Sequence, residues 1–198
     1  MPTTEKTTDH RRAIAERNVL AILEAAEALL QDGGPATIAG IAKRAGLSRV
    51  TVYTHFATLE ALLVAVLERG VARATVAFDE ATSSADSAME ALELAVRASW
   101  GELTGQRPLA EAVTAHVSPE KIRRTHDSGY VHARRLFEAG VESGEFRSDV
   151  PVEWLQSVYY ALLHTAGDDA RAGRLDCDTA LDALITTMRA AFAPTEGR

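Results

Sequence analysis

The chain has a single cysteine, Cys177, among its 198 residues. One thiol cannot form a disulfide within the chain, so no covalent framework holds the fold, and a reducing compartment fits. Apolar runs are short as well. None approaches the roughly 20 residues needed to cross a bilayer. The first ten residues are polar and lack the apolar centre of a secretory leader. A cytoplasmic protein with no membrane partner is the expectation. Alternation of apolar and polar residues is also missing. Ala is frequent, and this balance favours helices over strands.

Chemical motifs are absent too. There is no Gly-rich phosphate loop, no nucleophile elbow, no pair of cysteines and no His-x-x-x-His pattern. His126 and His132 stand six apart, on different faces of a helix, and His116 and His164 are isolated. The expectation is a non-enzyme with no catalytic residues, no metal site and no cofactor.

The net charge is −7, the wrong sign for a chain that coats phosphate. It is unevenly spread. Residues 1–60 hold seven Lys/Arg and seven Asp/Glu, so the remaining residues carry all of the excess negative charge. Any contact with nucleic acid must come from the N-terminal part. The local positive groups there are Arg11, Arg12 and Arg17, then Lys43, Arg44 and Arg49.

Periodicity and punctuation predict an all-α fold of about nine helices. Residues 1–10 read as a flexible polar arm. A helix follows from about Arg11 to Gln31 and ends at Gly33-Gly34-Pro35. Thr37 can cap a short helix to about Arg44. Ala45-Gly46-Leu47 forms a turn, and Ser48 can cap a second short helix to about His55. Thr58 can cap a longer one toward Phe78. Further helices are expected at about 86–104, 108–116, 119–142, 152–172 and 178–192. Cys177 falls in a polar connector, Arg174–Asp178. Helix length changes near residue 60, which divides the chain into an N-terminal domain, 11–60, and a larger helical domain, 61–198.

The segment Thr37–His55 has the parts of a helix-turn-helix. Ile38, Ile41 and Ala42 give the first helix one apolar face. Gly46 can adopt the left-handed backbone of a sharp turn. Leu47 and Val52 can fill the angle between the helices, and Phe56 can seal the end. Ser48, Arg49, Val50, Thr51, Tyr53, Thr54 and His55 remain to face outward. No Asp or Glu occurs from Ala39 to Leu59, and a carboxylate there would repel phosphate. Such a helix fits a DNA major groove. Hydroxyls suit phosphate, Arg49 could reach guanine, and the Val50 or Thr51 methyls could touch a thymine methyl.

These residues resemble the TetR family of transcription regulators. The resemblance is carried by Ile22-Leu23-Glu24-Ala25-Ala26, Thr37, Ile41-Ala42, Ala45-Gly46-Leu47-Ser48, Thr51-Val52-Tyr53, His55-Phe56 and Glu60-Ala61-Leu62-Leu63. It implies that Thr37, Tyr53 and His55 grip phosphates. It also implies that Ser48, Arg49, Val50, Thr51 and Thr54 lie on the recognition helix. By the same resemblance Lys43 adds a phosphate contact, Arg11 and Arg12 approach the minor groove, and the Thr58 cap with nearby backbone N–H groups supplies a phosphate anchor. The chain departs from the family's pattern at Leu59, where Lys is common, and at Val50, where Gly is frequent. Toward the C-terminus the resemblance extends to helix number and to Gly144-Glu145-Phe146…Asp149-Val150-Pro151.

By the same resemblance, the larger domain binds a small-molecule ligand and pairs two copies. Pocket candidates are Phe78, Trp100, Leu103, His116, His126, Tyr130, Phe137, Trp154 and Tyr159, an aromatic set with a polar end. The acidic balance favours a neutral or cationic ligand. Pairing into a homodimer would use the last two long helices through Leu155, Tyr159, Leu162, Leu163, Leu181, Leu184, Ile185 and Met188. The expected function is a sequence-specific regulator acting on a palindromic operator, a repressor released by its ligand. The rivals are an activator and a non-specific DNA-coating protein. The second of these needs abundant basic charge that the chain lacks.

Overall fold

Side-chain caps and four left-handed glycines, Gly33, Gly46, Gly144 and Gly173, decide where most of the helices start and stop. The computed structural model describes residues 3–105 and 107–195, with side chains for 10–101, 103–104, 108–125 and 129–195. Among these described residues there are nine α-helices and no strand. They are α1 (Thr3–Gln31), α2 (Ile38–Ala45), α3 (Arg49–His55), α4 (Leu59–Thr82), α5 (Ala88–Gly105), α6 (Arg107–His116), α7 (Pro119–Glu142), α8 (Val152–Arg171) and α9 (Cys177–Phe192). No single described helix is long and apolar enough to cross a membrane.

Two boundaries differ from the sequence reading. The first helix begins at Thr3, so residues 3–10 are helical where an arm was expected. They are polar, but no Gly or Pro lies between Pro2 and Gly33, and nothing breaks the helix before Gly33. At the other end, Cys177 opens α9 instead of lying in the connector. Asp176 caps that helix, accepting from the Thr179 backbone N–H at 2.9 Å and from its hydroxyl at 2.6 Å. The Cys177 thiol is exposed and free.

The helices form two compact units. The first contains the residues up to Glu68 and also Pro108–Ile122. Its core joins Ile22, Ala26 and Leu30 of α1 to Ile41 of α2, Val52 of α3, and Leu62, Leu63 and Val66 of α4. Leu109 and Val113 of α6, with Val117 beyond it, complete that core. Sequence punctuation placed the division near residue 60, whereas packing draws residues 61–68 and 108–122 into the first unit. The apolar stripe of α6 is what joins it there.

The second unit contains Arg69–Arg107 and Arg123–Arg198. Its centre is an aromatic knot around Phe137 of α7. That ring lies 5.1 Å from Phe192, 5.6 Å from Phe146 and 5.8 Å from Tyr159, within the range of favourable aromatic pairs. The connector between α7 and α8 holds this knot together. Gly144 takes φ +77°, which lets the chain reverse at the end of α7. The Phe146 N–H then donates back to the Gly140 carbonyl at 2.8 Å, and the ring enters the core. Glu145 reaches across to the start of α5, accepting from the Ala88 and Met89 N–H groups at 3.1 and 3.3 Å. Arg147 donates from its backbone to the Phe192 carbonyl at the end of α9, while its guanidinium forks onto Asp149 with two 2.7 Å bonds. One short loop therefore ties the ends of three helices.

Two predictions follow from this loop. A methyl group at Gly140 would overlap the Phe146 ring, which is only 1% exposed. Ala gains about 1 kcal/mol of helix propensity over Gly, but overpacking costs about 1–3 kcal/mol. Gly140→Ala therefore lowers the melting temperature, and an unchanged or raised value would show that the ring can yield. The second concerns pH. The Ala88 N–H, opposed by burial and helped by Met89, holds the Glu145 carboxyl below its ordinary 4.5. A depressed folded-state value means that the stabilisation is complete above the unfolded-state value and is lost as pH falls through the folded one. Glu145→Ala thus destabilises at pH 7, and the gap from wild type narrows as melting is followed into acid. A gap independent of pH would contradict this.

Candidate DNA-binding interface

The first two turns of the interface are set by backbone chemistry. The Thr37 hydroxyl accepts from the Gly40 N–H at 3.1 Å and starts α2. Gly46 then takes φ +68° and ψ 25°, a conformation that costs a residue with a Cβ about 1 kcal/mol or more. The Leu47 N–H returns to the Ala42 carbonyl at 3.0 Å, closing the turn. The Ser48 hydroxyl accepts from the Thr51 N–H at 3.0 Å and starts α3. Below the turn, Ile41 and Val52 are both 0% exposed, and Leu47 packs against the same core. Phe56 ends α3 and is buried.

Burying Val52 and Phe56 fixes what α3 shows to solvent. Val50 is 75% exposed and Tyr53 is 53% exposed. An isolated bundle gains nothing from leaving a valine and a tyrosine in water on a seven-residue helix. Arg49 and Thr54 are exposed beside them, and Thr51 and His55 form the half-buried edges. Lys43, Ser48, Thr37 and Thr58 are exposed on the flanks. Every DNA-contact residue expected on α2, on α3 or beside them is therefore exposed or half-buried on the first unit.

Hydroxyl accounting sharpens their roles. A hydroxyl has one hydrogen to donate and two lone pairs. Thr37 and Thr58 use a lone pair to cap α2 and α4, the latter accepting from the Ala61 N–H at 3.0 Å. Each keeps its hydrogen free to donate. Ser48 and Thr51 share a 2.8 Å bond, so one hydrogen of that pair is spent. Thr54 donates its hydrogen to the Val50 carbonyl at 2.8 Å. It presents a methyl group and lone pairs outward, so it suits base contact better than phosphate.

The electrostatics follow the same surface. No carboxylate lies between Ala39 and Leu59. The two that flank the segment are both paired. Asp32 meets Arg44 at 2.6 Å, and Glu60 meets Lys121 from α7 at 2.9 Å. No short-range pattern in the sequence signals the second pair, because its partners are brought together only by packing. Arg11 and Arg12 are exposed on α1, and because α1 starts at Thr3 they sit on a helix and not on a free arm. Arg12 pairs with Glu16 at 2.9 Å across one helical turn, a surface pair of little energetic weight.

The ligand candidates fall in both units. His116 lies on α6 in the first unit, exposed, with Nδ1 2.9 Å from the Ala112 carbonyl of its own helix. The remaining described candidates lie in the second unit. There Trp154 is 59% exposed on α8, so it lines no interior there. Phe137 and Tyr159 are buried in the aromatic knot, and burial pushes the Tyr159 phenol well above its ordinary value. Phe78 and Trp100 are buried core residues, and Leu103 is half-buried. Tyr130 packs edge-on against Tyr160 at 4.5 Å. The side chain of His126 lies outside the described residues.

The pairing residues need a similar correction. Leu155, Tyr159, Leu163, Leu184, Ile185 and Met188 are all at most 7% exposed and belong to the core of their own unit. The apolar faces of α8 and α9 meet each other and α5, so those side chains are not available to a second copy. Leu162 and Leu181 are half-buried.

Comparison with known proteins agrees with this geometry. The model of the family "Bacterial regulatory proteins, tetR family" matches residues 22–66. No curated protein sequence matches the chain. Among solved structures, the transcriptional regulator FadR from Bacillus subtilis, in complex with stearoyl-CoA, superposes with a TM-score of 0.75. It is 17% identical over 87% of this chain and 98% of its own. The fatty acid degradation regulator FadR from Bacillus halodurans gives 0.75 at 18% identity, covering 87% and 94%. A regulator from Saccharomonospora viridis in complex with choline gives 0.74 at 24% identity, covering 90% and 98%.

Two substitutions test the division of labour on α3. If the exposed Tyr53 hydroxyl meets the DNA backbone, Tyr53→Ala weakens binding to all duplexes alike. If Arg49 reads a base, Arg49→Ala relaxes sequence preference, at a cost of about 1–3 kcal/mol on the preferred sequence. Equal losses by both variants on preferred and random duplexes, in equilibrium titrations at one salt concentration, would refute the division.

Proposed function

We propose that the chain is a sequence-specific, DNA-binding transcriptional repressor, a reading supported by the match of residues 22–66 to the model of the tetR family of bacterial regulatory proteins. The observation that carries the reading is the exposed face of α3. Val50 and Tyr53 stand in water there, both flanking carboxylates are paired, and the helix is locked by the Gly46 turn. One such helix reads only a few base pairs. Two copies on half-sites about one helical turn apart double the contacts, which supports a homodimer on a palindromic operator. With six of the expected pairing residues in the core, the surface left on α8 and α9 includes the exposed Trp154 and the half-buried Leu162 and Leu181.

Release by a small molecule is the second part of the proposal. The structures holding stearoyl-CoA and choline support it, since those proteins share this fold. The ligand must bind the DNA-competent and DNA-incompetent states with different affinity, or nothing shifts. The acidic balance of residues 61–198 favours a neutral or cationic ligand. Repression needs only occlusion of a promoter and no further interaction surface.

Purified protein titrated with DNA from upstream of its own gene binds at least about 10³-fold tighter than a random duplex at the same salt concentration. Deleting the gene raises the transcripts it controls. A binding ratio near one would remove sequence specificity, and transcripts that fall on deletion would replace repression with activation.

A further inference from the structure

The pair between Glu60 and Lys121 has no evident structural need. Lys121 sits in the first turn of α7, where Ser118 caps the helix and Val117 and Ile122 pack into the first unit's core. That packing already fixes the turn against α4. Yet the ammonium is aimed at Glu60 Oε1, 2.9 Å away, with the lysine side chain 54% exposed and the glutamate 35% exposed. At such exposure the pair adds little stability. Its location is more telling. Glu60 is the first carboxylate after the acid-free stretch Ala39–Leu59, two residues beyond the Thr58 cap.

We infer that Lys121 is part of the DNA-contacting surface, where it cancels the Glu60 carboxylate at the end of α4 nearest the phosphates. The inference rests on the DNA-binding reading above. A bare carboxylate beside Thr58 lies within a Debye length, about 10 Å at 0.1 M salt, of any phosphate that the Thr58 hydroxyl contacts. Phosphate repulsion there would offset one of the few cations on the face. Asp32, the other flanking carboxylate, is matched by Arg44 from within the segment. Glu60 has no such neighbour in sequence, and α7 supplies the cation. Lys121 thus contributes a charge to an interface otherwise built from residues of the first four helices.

The test uses the full chain and three variants: Lys121→Gln, Glu60→Gln and the two combined. Affinity for a random-sequence duplex is read by fluorescence anisotropy across a range of KCl. Thermal melting checks that each variant is folded. Lys121→Gln weakens binding several-fold at low salt and makes the salt slope shallower by about one per protomer. Glu60→Gln has the opposite sign, with tighter binding and a steeper slope. The double variant returns close to wild type. If the pair were only a strut between α7 and α4, both single variants would break it and both would weaken binding, which overturns the inference. Affinity unchanged by Lys121→Gln also overturns it. A wild-type chain that shows no salt-dependent binding would instead strike the DNA-binding reading itself.

Discussion

The left-handed turn at Gly46 is the constraint from which the interface is built. It places α3 across α2 with Val52 and Phe56 inward, and so decides that Val50 and Tyr53 point outward. A longer or looser turn would leave α3 free to rotate about its axis. A seven-residue helix has too few backbone bonds to hold itself together in isolation. Its shape is borrowed from the core beneath it, where Ile41 and Val52 are wholly buried among α1, α4 and α6. The Ser48 and Thr58 caps add about 1 kcal/mol each and fix the ends of the exposed face.

Charge explains how a chain with a net charge of −7 can present a surface to DNA. The negative excess lies outside residues 1–60. Within that stretch, acids and bases balance, and the structure separates them. Arg44 and Lys121 neutralise the two flanking carboxylates, while Lys43 and Arg49 stand exposed on the acid-free segment. A modest number of phosphate contacts suits the proposed regulator, which would draw on base reading and two copies more than on bulk attraction.

The parts of this account that were legible in sequence share a physical cause: they depend on local chemistry. Thr37, Ser48 and Thr58 cap the helices they precede, and Gly46 makes the turn, because a cap or a turn involves residues only a few positions apart. The predicted helix ranges fall within a few residues of those observed from α2 onward for the same reason. What was not legible depends on long-range packing. The apolar faces of α8 and α9 were equally suited to a partner or to their own core, and periodicity alone does not distinguish the two. The structure commits Leu155, Leu184 and Met188 to the core. Of the aromatic residues gathered as a pocket, Phe137 and Tyr159 lie in the aromatic knot, His116 belongs to the other unit, and Trp154 faces solvent. The Glu60–Lys121 pair could not be read at all, because only the packing of α6 and the first turn of α7 within the first unit brings it together.

The central claim is that one face of the first unit, Thr37 to Thr58, receives duplex DNA. Backbone amide chemical shifts of isotope-labelled protein, followed while duplex DNA from upstream of its own gene is added, test this most directly. The account predicts that the largest changes fall on Thr37, Lys43, Ser48–His55 and Thr58–Glu60, with Lys121 moving beside them. Changes concentrated on α8 and α9, or spread evenly over basic residues throughout the chain, would contradict it.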